Sequence, residues 1–130
     1  MAYIDLTKIT DRHAQNIITE DSALGALALS KAEIDTRITC RTKEVAEADI
    51  PVDGDGYLQS EMLYMYCEQS FLMHLFKSVA GSYESDDIYG LKVLEAKHEV
   101  QLLKDELTEP IITEVEVTEP MNRNCGIPIE

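Results

Sequence analysis

The chain has no tryptophan, two phenylalanines, four prolines and three cysteines among its 130 residues. The cysteines, Cys40, Cys67 and Cys125, are widely spaced and form no C-x2-C pair. An odd, unclustered set of thiols builds no disulfide framework, so the sequence reads as a reduced, cytoplasmic chain. Basic residues are also scarce: 11 Lys and Arg stand against 25 Asp and Glu, for a net charge of −14. That shortage argues against a nucleic-acid binder, which needs a basic footprint to displace counterions from phosphate. It argues equally against docking on an anionic membrane. No stretch reaches the roughly 20 mostly apolar residues of a membrane span. The start, Met1-Ala2-Tyr3-Ile4-Asp5, has neither a basic n-region nor an apolar h-region, so no export signal is expected. There is no Gly-rich phosphate loop and no G-x-S-x-G elbow.

The run over 57–79 is the strongest positive feature. Tyr57-Leu58, Met62 to Cys67, Phe71-Leu72-Met73, Leu75-Phe76 and Val79 follow one another with no Pro or Gly after Gly56. A helix is the natural reading, and its apolar side chains lie all round it. Such a helix must be surrounded by protein, and in a chain this short part of its coat is expected from other subunits. Cys67 lies inside the run and reads as a small core residue. The Met and Tyr side chains read as core, with the hydroxyls reaching the periphery.

Three other helices are expected around it. Thr10 or Asp11 caps a short first helix within 5–18. Glu20-Asp21-Ser22 starts a second over 22–40, whose Leu24, Leu27, Ala28, Ile34 and Ile38 make the apolar face, with Glu33, Arg37 and Arg41 on the wetter side. Gly81 to Ser85 breaks the chain, Asp86-Asp87 caps a last helix over 86–107, and Pro110 stops it. Ile88, Leu91, Val93 or Leu94, His98, Leu102 and Leu103 make that helix amphipathic. Residues 41–56 read as a polar loop. The fold class is therefore mainly α: a small bundle of three to four helices over 1–108, one domain of ordinary size, with an extended, β-like acidic arm over 109–130. Ile111, Thr113, Val115 and Val117 alternate with Ile112, Glu114, Glu116 and Thr118, which is strand periodicity. A strand without a partner in its own chain should either stay disordered or add to a sheet in another chain. These four residues are the candidate contacts to a partner or a neighbouring subunit. Deleting the arm should leave the helices folded and weaken assembly.

The chemistry-bearing patterns are incomplete. Asp53-Gly54-Asp55-Gly56 resembles the start of a calcium loop, but Leu58 stands where the loop needs Gly and Tyr64 where it needs a bidentate Glu. A turn is the better reading. Glu95-x-x-His98 is one half of a di-iron bundle motif, and neither His13 nor His74 has a Glu three residues before it. The histidines and cysteines have no zinc-ligand spacing. The chain is accordingly read as a non-enzyme with no cofactor or metal.

The order of parts resembles the small head–tail connector (neck adaptor, head-completion) proteins of tailed bacteriophages. The helix Ala32-Glu33-Ile34-Asp35-Thr36-Arg37-Ile38, with Arg41 just after, is similar to that group's A-x-I-D-x-x-I/L-x-x-R pattern. A loop with Pro51, the apolar helix Leu63 to Phe76 and the Leu-rich turn Val100-Gln101-Leu102-Leu103 complete the likeness, over residues 3–107. Two departures are that Thr42, not Tyr, follows Arg41, and that Pro waits until position 51. The resemblance implies a structural virion protein in the neck, made in the host cytoplasm. It implies a homo-oligomeric ring, typically twelve-fold, between the portal protein and the next neck or tail component. DNA would be only the passing genome, and no membrane would be involved. An acidic lumen would let DNA slide without sticking. A different reading of the acidity is a regulator or DNA mimic that occupies a host DNA-binding protein, although the acids are scattered over loops, caps and the tail.

Overall fold

The computed structural model describes residues 2–81 and 87–114. Acidic and hydroxyl side chains start the helices, each accepting from backbone N–H groups that have no partner inside the helix. Asp11 Oδ1 accepts from the Ala14 N–H at 3.0 Å and opens α1, Arg12–Glu20. Asp21 ends α1 and caps α2, Ser22–Thr42, through the Ala23 and Leu24 N–H groups. Ser60 caps α3, Glu61–Lys77. Asp87 caps α4, Ile88–Glu106, by accepting from the Tyr89 and Gly90 N–H groups. A further short helix, α5, spans Glu109–Thr113, with Pro110 in its first turn and Glu114 in the left-handed region (φ 58°) at its end.

The last of these corrects the sequence reading. Ile111 and Thr113 lie in a helical turn, not on one face of a strand. Pro110 fixes a helix-compatible φ and loses nothing there, since the first N–H groups of a helix need no intrahelical partner. That local preference outweighs the alternation of β-branched residues. Val115 and Val117 lie outside the described residues. Ile112, inside the expected arm, is fully buried in the common core. Among the described residues, four α-helices form within 1–108, where three to four were expected, a fifth forms in the expected arm, and no strand is present.

α3 is central, as its all-round apolar surface requires. On one side it meets α2 in antiparallel fashion: Asp35 reaches Ser70 and His74, and Thr39 Oγ1 lies 2.7 Å from Tyr66 OH. On another side its C-terminal end meets the start of α4. The Phe76 and Tyr89 rings stack 6.1 Å apart, and Lys92 Nζ sits 5.5 Å from the Phe76 centroid. Further along, Gln69 and Leu72 share a small cavity with Glu95 and Ala96, so α4 also runs antiparallel to α3. Phe71, Leu75, Leu63 and Cys67 of α3 are fully buried by this chain alone. These four are covered without other subunits, while Met65 on the same helix is 45 % exposed.

The segment over 43–60 and the N-terminus close the remaining side. Val52 and Leu58 make one antiparallel bridge around a turn. Asp53 Oδ1 accepts from the Asp55 and Tyr57 N–H groups at 2.8 and 3.0 Å, and Gly56 takes a φ of 89°, which favours glycine. The carboxylate is spent on its own backbone, as a turn requires. Tyr3 ties down the N-terminus, donating its N–H to Glu33 Oε2 and accepting from the Leu58 N–H, both at 2.8 Å.

Candidate interaction surface

The chemically reactive residues are dispersed. Glu95 and His98 are exposed on α4. His13 packs edge-on against Tyr89, with ring centroids 6.0 Å apart. His74 Nε2 lies 2.7 Å from Asp35 Oδ2, and Ser70 Oγ donates to the same oxygen at 2.9 Å. Both groups converge on one carboxylate oxygen, so the Ser70 hydroxyl donates to Asp35. In a Ser-His-Asp triad the hydroxyl instead donates to the imidazole. This cluster ties α3 to α2 and was not singled out in the sequence. Its only signal was Ser70 and His74 at i, i+4 in an otherwise apolar helix. Among the described residues, no group of three or more His, Cys, Asp or Glu is placed to hold a metal ion.

Cys40 and Cys67 are free and fully buried. Burial pushes the Cys40 thiol up to about 11 and the Cys67 thiol up to about 12. A thiol held protonated is neither a nucleophile nor a metal ligand, which leaves both as small core residues.

The unusual surface is apolar, and it lies where the sequence placed core. α2 turns Ala28, Ala32, Thr36, Thr39 and Cys40 inward and leaves Leu27, Ile34 and Ile38 exposed. α4 buries Gly90, Val93, Ala96 and Leu103 and exposes Ile88, Leu91, Leu94 and Leu102. The expected apolar faces are thus largely reversed in both helices. The cause is volume. α3 brings Leu63, Phe71, Leu75 and Phe76, and interiors pack to crystal-like density. Neighbours that approach such a helix closely must be small. Seven of the nine large hydrophobic residues exposed among the described residues lie on these two outward faces, each 39 to 52 % exposed. Apolar residues grouped in this way on a surface are a candidate for an interaction site.

The two stripes carry opposite charge. Lys31 and Arg41 interleave with Leu27, Ile34 and Ile38 on α2, while Glu95 and Asp105 interleave with Leu91 and Leu102 on α4. Arg37, one turn round from the α2 stripe, is occupied elsewhere: it lies 3.9 Å from Glu47 and stacks over the Tyr3 ring at 5.8 Å. Of the four residues expected to contact a partner, Ile111 packs against the core. The Thr113 hydroxyl donates to the Glu109 carbonyl at 2.9 Å. Val115 and Val117 fall outside the described residues. No described helix is long and apolar enough to cross a membrane. No family model, curated protein or solved structure matches this chain.

Proposed function

We propose that this chain is a structural assembly protein, a head–tail connector of a tailed bacteriophage. It acts by packing against other subunits rather than by catalysis. The observation that carries this reading is the pair of outward apolar stripes on α2 and α4. Covering a half-exposed Leu or Ile is worth about 1 kcal/mol. Seven such residues on two helices supply the drive for a protein that functions as part of a larger body.

The acidity supports the same reading. A net charge of −14 spread over a ring would keep the passing genome from adhering to the lumen. The partners in this reading are further copies of the chain, the portal protein, and the next neck or tail component. The place of action is the virion neck, after synthesis in the host cytoplasm.

The test is quantitative mass spectrometry of purified virions from a phage encoding this chain. A copy number equal to that of the portal protein supports a neck component. Abundance in infected cells with absence from virions overturns the connector reading and favours an acidic regulator. Competition with DNA for a host protein would then be measured.

A further inference from the structure

Five of the exposed residues of α2, the large apolar and the basic ones, fall in a strict seam. Leu27, Lys31, Ile34, Ile38 and Arg41 follow at spacings of four, three, four and three. The outward seam of α4 has the same spacings in Leu91, Glu95, His98, Leu102 and Asp105. Alternating steps of three and four are the repeat that lets two helices keep contact along their length. Each seam alone is half of a helix pair.

We propose that the α2 seam of one copy packs in parallel against the α4 seam of the next copy, in a single register. Leu27 then meets Leu91 and Ile38 meets Leu102. Lys31 meets Glu95 and Arg41 meets Asp105. Ile34 packs against the ring of His98 between them. One constant offset satisfies both apolar pairs and both charge pairs at once. Lys31 and Arg41 are exposed and are not paired with any acid among the described residues. In a chain with 11 basic residues against 25 acidic ones, two cations set in an apolar seam with no acid between them call for an acidic counterpart.

The direction also fits. α2 and α4 both run antiparallel to α3, so they run the same way within one subunit. A neighbour related by rotation about an axis along the helices therefore offers its α2 parallel to this copy's α4. A two-fold dimer about an axis along the helices, like seam on like seam, would instead set Lys31 on Lys31 and Arg41 on Arg41, or acid on acid. Like charges meeting in a contact are strongly disfavoured. The contact is therefore heterologous: each copy uses one seam and leaves the other open for a further copy. Repetition of such a contact gives a ring if the rotation closes and a filament if it does not. The pairing rests on the two surfaces alone, and its closure into a ring rests on the connector reading.

The experiment uses the full chain with Cys125→Ser to remove the one cysteine outside the described residues. Ile38→Cys and Leu102→Cys are introduced singly and together, and the protein is oxidised at high concentration. Both positions are exposed, so the fold is kept, and circular dichroism checks that it is. The double variant is expected to give a ladder of trimers and larger covalent species. Each single variant is expected to give no ladder. In parallel, sedimentation measures self-association. Lys31→Glu or Glu95→Lys alone is expected to weaken it about tenfold or more, and the two together to restore it to within about threefold. Dimers only, no cross-linking in the double variant, or a charge-swapped protein no better than its parents overturns the pairing and leaves the stripes to a different protein. Failure here with portal-like abundance in virions removes the pairing and keeps the connector. A ladder with absence from virions does the reverse.

Discussion

Lys92 Nζ lies 2.7 Å from Asp11 Oδ2, joining the start of α1 to α4, while the other oxygen of the same carboxylate caps α1. Burial alone would raise the Asp11 carboxyl. The Lys92 ammonium and the backbone N–H groups more than offset it, and the group sits below the usual carboxylate range. A carboxyl whose folded value is depressed gives stability that is full above its unfolded pKa of about 3.9 and is lost as pH falls through the folded value. Asp11→Ala is expected to cost about 1–2 kcal/mol at neutral pH, combining a lost cap with a lost ion pair. Asp11→Asn keeps a cap acceptor and should cost less. Urea unfolding at pH 7 and pH 3 checks both points: the gap between wild type and Asp11→Asn should shrink at the lower pH.

The two buried thiols act at the other end of the pH scale. Burial raises Cys40 to about 11 and Cys67 to about 12, against an unfolded value of about 8.5. A raised pKa stabilises the fold below the unfolded value and loses that contribution as pH rises toward the folded one. Stability is therefore expected to fall from about pH 8.5 upward. In the Cys125→Ser protein, a thiol reagent at pH 8 should label neither Cys40 nor Cys67 until urea is added. Rapid labelling of the folded protein would contradict the packing of both residues.

Four helices, and the starts of α1, α2 and α4, were legible in the sequence, whereas α5 and the faces that α2 and α4 bury were not. Asp11, Asp21 and Asp87 announce α1, α2 and α4 because a carboxylate before an apolar run has one obvious use. The central place of α3 followed from its lack of a polar side. The inward faces of α2 and α4 failed because periodicity ranks residues by apolar size and assigns the largest to the core. Here the large side chains of α3 already fill that space, and Ala28, Ala32, Thr36, Gly90 and Ala96 are what fits beside them. The exposed apolar stripe of α2 was hidden by the same step, since Ile34 and Ile38 had been given a place in the core.

A pair of substitutions on opposite faces of one turn of α2 tests this reversal. Ala32 is fully buried, so Ala32→Leu should overpack the α2–α3 contact and cost about 1–3 kcal/mol. Ile34 is half exposed, so Ile34→Ser should change the stability of the isolated subunit by no more than about 0.5 kcal/mol. Thermal or urea unfolding at low protein concentration reads both. If Ile34→Ser proved the more damaging, the conventional large-residue face would be the buried one.

The chain end divides into two parts that truncation can separate. α5 belongs to the core: Ile112 is fully buried and its N–H donates to the Thr108 carbonyl at 2.9 Å, so the short helix is held by packing onto α3 more than by its own single turn. Removing residues 115–130 leaves every described helix and the Ile112 contact in place, and stability should stay within about 0.5 kcal/mol of the full chain. Removing 109–130 also strips Ile112 from its site and opens a cavity, which should cost about 2–4 kcal/mol. The urea midpoints of the two truncations give the answer. If both match the full chain, α5 contributes nothing to the subunit, and its apolar residues are free to serve a contact with another chain, as the alternation of Ile111, Thr113, Val115 and Val117 suggests. If only the longer truncation is destabilised, the arm's first turn is part of the fold, and any partner contact made by the arm must begin beyond Glu114.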